Sequence, residues 1–150
     1  MKKIITLALL FLSFLTSAQN VQLIDGLYYN GEELYSGTYK EFNIEGKIKT
    51  EIIIEKGKLN GKYIVYHENG QMQELRNYER GAKHGLWCTW NDSGIKTAEA
   101  YYKNDQKDGK WLIWDDKGQI RYEMFYKSGE KTGVWTMWDE AGTITMKKDY

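Results

Sequence analysis

Glycine recurs along this chain in a register that leaves little freedom in what the chain can become. Gly37, Gly61, Gly85, Gly109 and Gly133 fall on every twenty-fourth position, and Gly46, Gly70, Gly94, Gly118 and Gly142 follow the first series by nine. A short unit repeated on one period predicts a linear array of supersecondary elements, each packed mainly on its neighbours. The stretch from Gly109 to Gly133, GKWLIWDDKGQIRYEMFYKSGEKTG, shows the unit most clearly.

With the leading glycine of each unit as position 1, positions 3 and 6 hold Tyr39 and Phe42, Tyr63 and Tyr66, Trp87 and Trp90, Trp111 and Trp114, and Trp135 and Trp138. Every tryptophan of the chain lies on this grid. Position 18 holds Ile54, Tyr78, Tyr102, Tyr126 and Tyr150. Polar segments such as Asp92-Ser93-Gly94 and Asp116-Lys117-Gly118 close one connection, and Gly81-Ala82-Lys83-His84-Gly85 and Gly129-Glu130-Lys131-Thr132-Gly133 close the other. Glycine supplies the positive φ that hairpin turns need, so both kinds of segment predict hairpin connections, with the glycines as hinges. What lies between them has the length of a strand and is too short for most helices.

The second half of the unit alternates with a period of two. Ile48, Thr50, Ile52 and Ile54 form one row in the first repeat, and Ile120, Tyr122, Met124 and Tyr126 form it in the fourth. In the second repeat Glu74 and Arg76 occupy that row, which predicts a more exposed unit or one slightly out of register. Leu27-Tyr28-Tyr29-Asn30 is similar to Tyr101-Tyr102-Lys103-Asn104, so residues 19–36 read as a leading half unit. The predicted fold is all-β: an elongated, twisted antiparallel meander of β-hairpin repeats, 37–60, 61–84, 85–108, 109–132 and 133–150, with about eleven strands. Its unpaired edges fall near Tyr28 and at Met146 to Tyr150.

Residues three apart on a strand point to opposite faces, so Trp111 and Trp114 place aromatic rings on both sides of the sheet. Burying one tryptophan removes about 200 Å² from water, on the order of 5 kcal/mol, so six exposed rings would forfeit more than the roughly 5–15 kcal/mol that holds a domain together. Most of the rings must therefore be packed. Equivalent strands of successive units lie about 9.6 Å apart, beyond ring contact, so residues of the intervening strand have to fill the gap. Tyr102, Met124 and Tyr126 are the candidates.

Residues 1–18 differ in kind. Lys2 and Lys3 precede an apolar run, Ile4 to Leu15, that ends in Thr16-Ser17-Ala18. The run is short for a membrane span and reads as a signal peptide cleaved before Gln19, which predicts export to the periplasm or medium with no stable membrane anchor. Removing it takes away two lysines and no acid, leaving 19 basic against 21 acidic residues, so net charge recruits no nucleic acid. Residues 19–150 read as a single domain.

The lone cysteine, Cys88, has no disulfide partner in the chain and reads as a packed side chain. His67 and His84 read as ordinary turn residues. Glu51, Glu99 and Glu123 recur at one repeat position, as surface alternation produces, and no nucleophile, metal or phosphate motif is present. The expectation is a non-enzyme with no cofactor.

The pattern G-x-W-x-x-W-x-x-x-G followed by an apolar strand resembles the bacterial variant of the MORN repeat, over roughly residues 27–150. That resemblance implies a sheet built hairpin by hairpin and a role as an interaction scaffold, in some cases on membrane phospholipids. Bacterial proteins of this kind are described as similar to YwqK-type antitoxins, which implies an antitoxin or immunity partner. The functional expectation is an exported scaffold for an unknown protein, or self-association through edge strands. The alternative is an envelope glycan module. Trp87, Trp90, Trp111, Trp114, Trp135, Trp138, Tyr102, Tyr126 and Tyr150 are the candidate partner-binding residues.

Overall fold

The computed structural model describes residues 20–150, and every one of its regular elements is a β-strand. The proposed signal peptide lies outside the described residues. A small antiparallel sheet comes first, formed by β1 (Val21–Ile24), β2 (Leu27–Asn30) and β3 (Glu33–Leu34) in that order. The main sheet follows as β4 (Gly37–Phe42), β5 (Ile48–Glu55), β6 (Lys58–Tyr66), β7 (Met72–Glu79), β8 (Ala82–Lys83) and β9 (Gly85–Trp90). It continues through β10 (Lys96–Lys103), β11 (Gln106–Lys107), β12 (Gly109–Trp114), β13 (Ile120–Lys127), β14 (Glu130–Trp138) and β15 (Ile144–Asp149). Each strand pairs with its sequence neighbours, so the main sheet is an open antiparallel meander. Fifteen strands stand where spacing predicts about eleven, because two extra strands fold at the N-terminus and His84 and Asp108 each divide one strand in two.

One expected edge is corrected. Tyr28 lies on the central strand of the small sheet, and the first edge of the main sheet is β4. The other edge is β15, as alternation predicts. The Asp25-Gly26 turn, with φ of 49° and 80°, leads from β1 into β2 and pairs the two, so β2 lies between β1 and β3. The small sheet is tied to the main one through Tyr28, whose N–H donates to Gly57 O at 2.8 Å and whose carbonyl accepts Tyr35 N–H at 2.9 Å. Beneath it Tyr35, Ile52 and Ile54 are buried, with Val21, Tyr28, Tyr39, Leu59 and Tyr63 packed around them.

Two breaks in pairing recur, the first in every unit and the second in every unit after the first. At position 13 one residue is extra on the second strand: Lys49, Gln73, Thr97, Arg121 and Thr145. The extra residue resets the alternation, so Ile120 comes opposite Trp114 and leaves the row of Tyr122, Met124 and Tyr126; Ile48 likewise leaves the row of Thr50, Ile52 and Ile54. All five bulged residues are polar, which suits a side chain outside the ladder.

The second break corrects the reading of the leading glycines. The turn between units is the two-residue type I′ turn at Lys56-Gly57, Arg80-Gly81, Asn104-Asp105 or Ser128-Gly129, where φ is positive at both residues. Ala82 and Lys83 already pair with β7, so the strand resumes directly after the turn and is interrupted only at His84. The leading glycine sits inside the returning strand, where two residues are extra relative to the partner: Thr132 faces Phe125 while Thr136 faces Glu123. Gly109 has φ 108°, and a Cβ there would stand 3.1 Å from Tyr101 Cβ, so this bulge needs glycine for both backbone and space. Gly129 has φ 88° in open space. Gly109→Ala is therefore expected to cost roughly 1–3 kcal/mol more in urea or thermal unfolding than Gly129→Ala, which carries backbone strain alone; equal losses would remove the bulge account.

Candidate functional site

The bulge at the leading glycine is also where each position-3 tryptophan is anchored. Trp87 Nε1–H donates to Asn77 O at 3.0 Å, Trp111 to Tyr101 O at 3.1 Å and Trp135 to Phe125 O at 3.0 Å. Position 17 carbonyls beside the bulge thereby gain a donor, and each indole is held in one orientation along the sheet.

Oriented this way, the rings meet their neighbours. Tyr63, Tyr78, Trp87, Tyr102, Trp111, Tyr126, Trp135 and Tyr150 form one continuous ladder, with successive centroids 4.8 to 6.3 Å apart and interplanar angles of 49° to 61°. Position 18 tyrosines fill the gaps between position 3 rings, as the distance between equivalent strands requires. Met124 stands directly opposite Trp111 and is not one of the rungs. Of the nine candidates, Trp87, Trp111, Trp135, Tyr102, Tyr126 and Tyr150 fall on this face. Trp90, Trp114 and Trp138 are excluded from it and lie opposite Lys96, Ile120 and Ile144. Among the tryptophans only Trp135 is buried, and the other five are partly covered.

Sequence reasoning passed over a row of cations. Lys83 Nζ lies 5.2 and 5.3 Å from the centroids of Trp87 and Tyr102, Lys107 lies 4.3 and 4.7 Å from Trp111 and Tyr126, and Lys131 lies 4.5 and 4.7 Å from Trp135 and Tyr150. The three lysines keep the period of the glycines and stand two positions before each leading one, so the spacing that revealed the tryptophans also contained them. The same position holds Tyr35 and Leu59 in the first units, where it contributes to the core. The second repeat is in register despite its charges: Arg76 pairs with Glu74 and stacks on Tyr63 and Trp87 at 5.4 and 5.5 Å.

The opposite face carries the recurring glutamates as ion pairs, Lys40 with Glu51 at 3.0 Å and Lys96 with Glu99 at 2.8 Å. Burial pushes the Cys88 thiol up, which keeps it protonated and suits packing over nucleophilic use. Among the described residues no group of three or more His, Cys, Asp or Glu could hold a metal.

At the far ends of the hairpins, Asn43, Asn91, Asp115 and Asp139 each accept two backbone N–H groups, two and four residues on, at 2.8 to 3.1 Å. His67 replaces them in the second unit and reaches Trp90 O at 2.9 Å, linking one turn to the next, a role its turn position alone did not reveal.

An open sheet of like hairpins, each stacked on the last through a ring ladder, defines the class: a β-hairpin repeat protein. Residues 59–80, 83–104 and 107–128 are similar to the family described as MORN repeat variant. The matched segments step by the same period as the glycines and coincide with the central units. No curated protein matches the chain. Such repeats are in general non-catalytic modules that bind proteins or membranes.

The Asp115 carboxyl is held below its usual range by the Gln119 and Lys117 N–H groups and by Arg121. A depressed folded pKa gives stability that is present above the unfolded value and lost as pH falls through the folded one. Asp115→Asn keeps the acceptor oxygen, as Asn43 and Asn91 do in their own turns. Because it lacks the charge that these N–H groups and Arg121 favour, it is expected to melt below wild type at pH 7 and to converge on wild type on acidification below about pH 4, as read by thermal melts across pH; parallel acid curves would exclude this turn as a source of acid lability.

Proposed function

We propose that the protein is a non-enzymatic scaffold whose ladder face, over the third to fifth units, receives another polypeptide. One observation carries this reading: the chain already covers the same face at its first units with its own N-terminal sheet, through Tyr28 and the Tyr35–Ile52–Ile54 cluster. From Trp87 onward no described element covers the ladder, its last rung Tyr150 is exposed, and so are Ile113 and Tyr122 beside it. An apolar face that the fold covers at one end and leaves open at the other suits a partner. An antitoxin or immunity role is one form of this reading, with a toxin as the partner.

The partner-binding rungs are assigned to Trp87, Trp111, Tyr102, Tyr126 and Tyr150. Trp135 acts as packing, and Trp90, Trp114 and Trp138 belong to the other face. The double variant Ile113→Thr with Tyr122→Thr trims a cross-strand pair on the ladder face without placing like charges opposite each other, and it is expected to stay folded by melting curve while losing at least tenfold in cross-linked partner recovered from native envelope. Equal recovery would move the partner to another surface. Absence of any protein, with tryptophan fluorescence that responds to envelope polysaccharide, would favour a glycan module.

Export supports the same reading by placing the scaffold where such partners are met. It rests on the Lys2-Lys3 and Ile4 to Leu15 pattern. The native protein is expected to begin at Gln19 by intact-mass analysis, and a mature species that retains Met1 would exclude cleavage.

A further inference from the structure

We propose that the ladder face binds a polyproline II segment carrying an acidic residue at every third position; this rests on the reading of the protein as a scaffold for a polypeptide. The cations supply the first argument. Lys83, Lys107 and Lys131 sit above the rings in a row, and none of them has a carboxylate partner among the described residues, whereas Lys40, Lys96, Lys110 and Lys127 are all ion-paired. A row of unneutralised ammonium groups over an apolar surface is complementary to a ligand that is both acidic and apolar.

Spacing selects the conformation of that ligand. Each unit contributes two main strands, so equivalent lysines repeat about every 9.6 Å across the sheet. Polyproline II advances about 3.1 Å per residue with three residues per turn, about 9.3 Å, so every third side chain returns to one face at nearly the lysine interval. An extended β-strand turns every third side chain to its opposite face. An α-helix has a pitch of about 5.4 Å, and neither one turn nor two match the interval.

Ring chemistry agrees. Between the lysines lie the junctions Tyr102–Trp111 and Tyr126–Trp135, at 5.2 and 5.1 Å, whose two rings sit under different lysines with no one lysine bridging them. Aromatic surfaces are the usual docking sites of preformed polyproline II, which loses little entropy on binding. The track also has a defined start, because Leu59 and Tyr35 replace lysine in the earlier units and are packed into the core. Three lysines then read acids at i, i+3 and i+6.

The test uses the full exported chain and fluorescein-labelled peptides read by anisotropy at low ionic strength: Glu-Pro-Pro repeated three times, its Lys-Pro-Pro counterpart, and a proline peptide with Glu at every fourth position. The first is expected to bind at least tenfold more tightly than the other two, with affinity falling as salt rises. Lys107→Gln keeps most of the side-chain stem and should weaken binding roughly two- to fivefold, the three-lysine variant should abolish it, and Lys107→Arg should retain it. Lys110→Gln on the other face should leave it unchanged, and melting curves confirm that each variant folds. Equal binding of the period-four peptide, or an unchanged affinity in a folded three-lysine variant, would overturn the proposal. Lysine-dependent binding of a uronic-acid polymer without peptide binding would overturn it in favour of a glycan. If the peptide fails while partner recovery still depends on Ile113 and Tyr122, this inference falls alone; if both fail, the scaffold reading falls with it.

Discussion

The hydrogen bond from a tryptophan indole to the carbonyl of a position 17 residue is the interaction on which this sheet depends. In this meander a bulge interrupts strand pairing at each leading glycine from Gly61 onward, and the carbonyl beside the bulge is open to a second donor. Trp111 Nε1–H meets Tyr101 O, which also accepts the Asp108 N–H, so the acceptor is satisfied twice. Asn77 O does the same for His84 N–H and Trp87. The bond also determines where the indole ring points, and the ring ladder follows from that.

The ladder in turn stands where a second layer would stand in a sandwich. An open sheet with few buried side chains cannot draw its stability from one enclosed core, and only Tyr35, Ile52, Ile54, Cys88 and Trp135 among the described apolar residues are buried. Tilted ring contacts each contribute about 0.5–1.5 kcal/mol beyond the area they cover, and seven of them run unbroken from Tyr63 to Tyr150. Three of the seven contacts, Tyr78–Trp87, Tyr102–Trp111 and Tyr126–Trp135, cross from one unit to the next and couple neighbouring hairpins. Lysine stems lying on the rings shield them further while keeping the charge in water.

Much of this was legible because the repeat imposes one register on residues with distinctive chemistry. Glycine and tryptophan are conspicuous, and their spacing led to strands, hairpins, opposite-face placement of Trp111 and Trp114, and tyrosines in the gaps. What misled was chemistry shared by two structures. A hinge and an in-strand bulge both require positive φ, so Gly85 and Gly109 looked like turn residues. The bulge at Arg121 was hidden because a polar residue fits a solvent-facing strand position equally well, and Ile120 therefore seemed to share a face with Tyr122. The row of Lys83, Lys107 and Lys131 has the same period as the tryptophans. It escaped notice because lysine in a presumed turn carries no signal until the segment is known to be strand.

The position two residues before each leading glycine shows how one fold divides its surface between structure and binding. Tyr35 and Leu59 at that position turn the ladder face into a core under the N-terminal sheet. Lysine at the next three leaves the same face wet and charged. Because the backbone register is the same in both halves, the change of side chain alone decides whether the face closes on the chain's own strands or stays open. An apolar residue at 107 would invite a further intramolecular layer or aggregation through the exposed rings. Lysine there lays its stem along Trp111 and Tyr126 and keeps its charge in water. The same change of side chain thus keeps the face charged, and it does so without altering the bulge, the indole bond or the ladder beneath it.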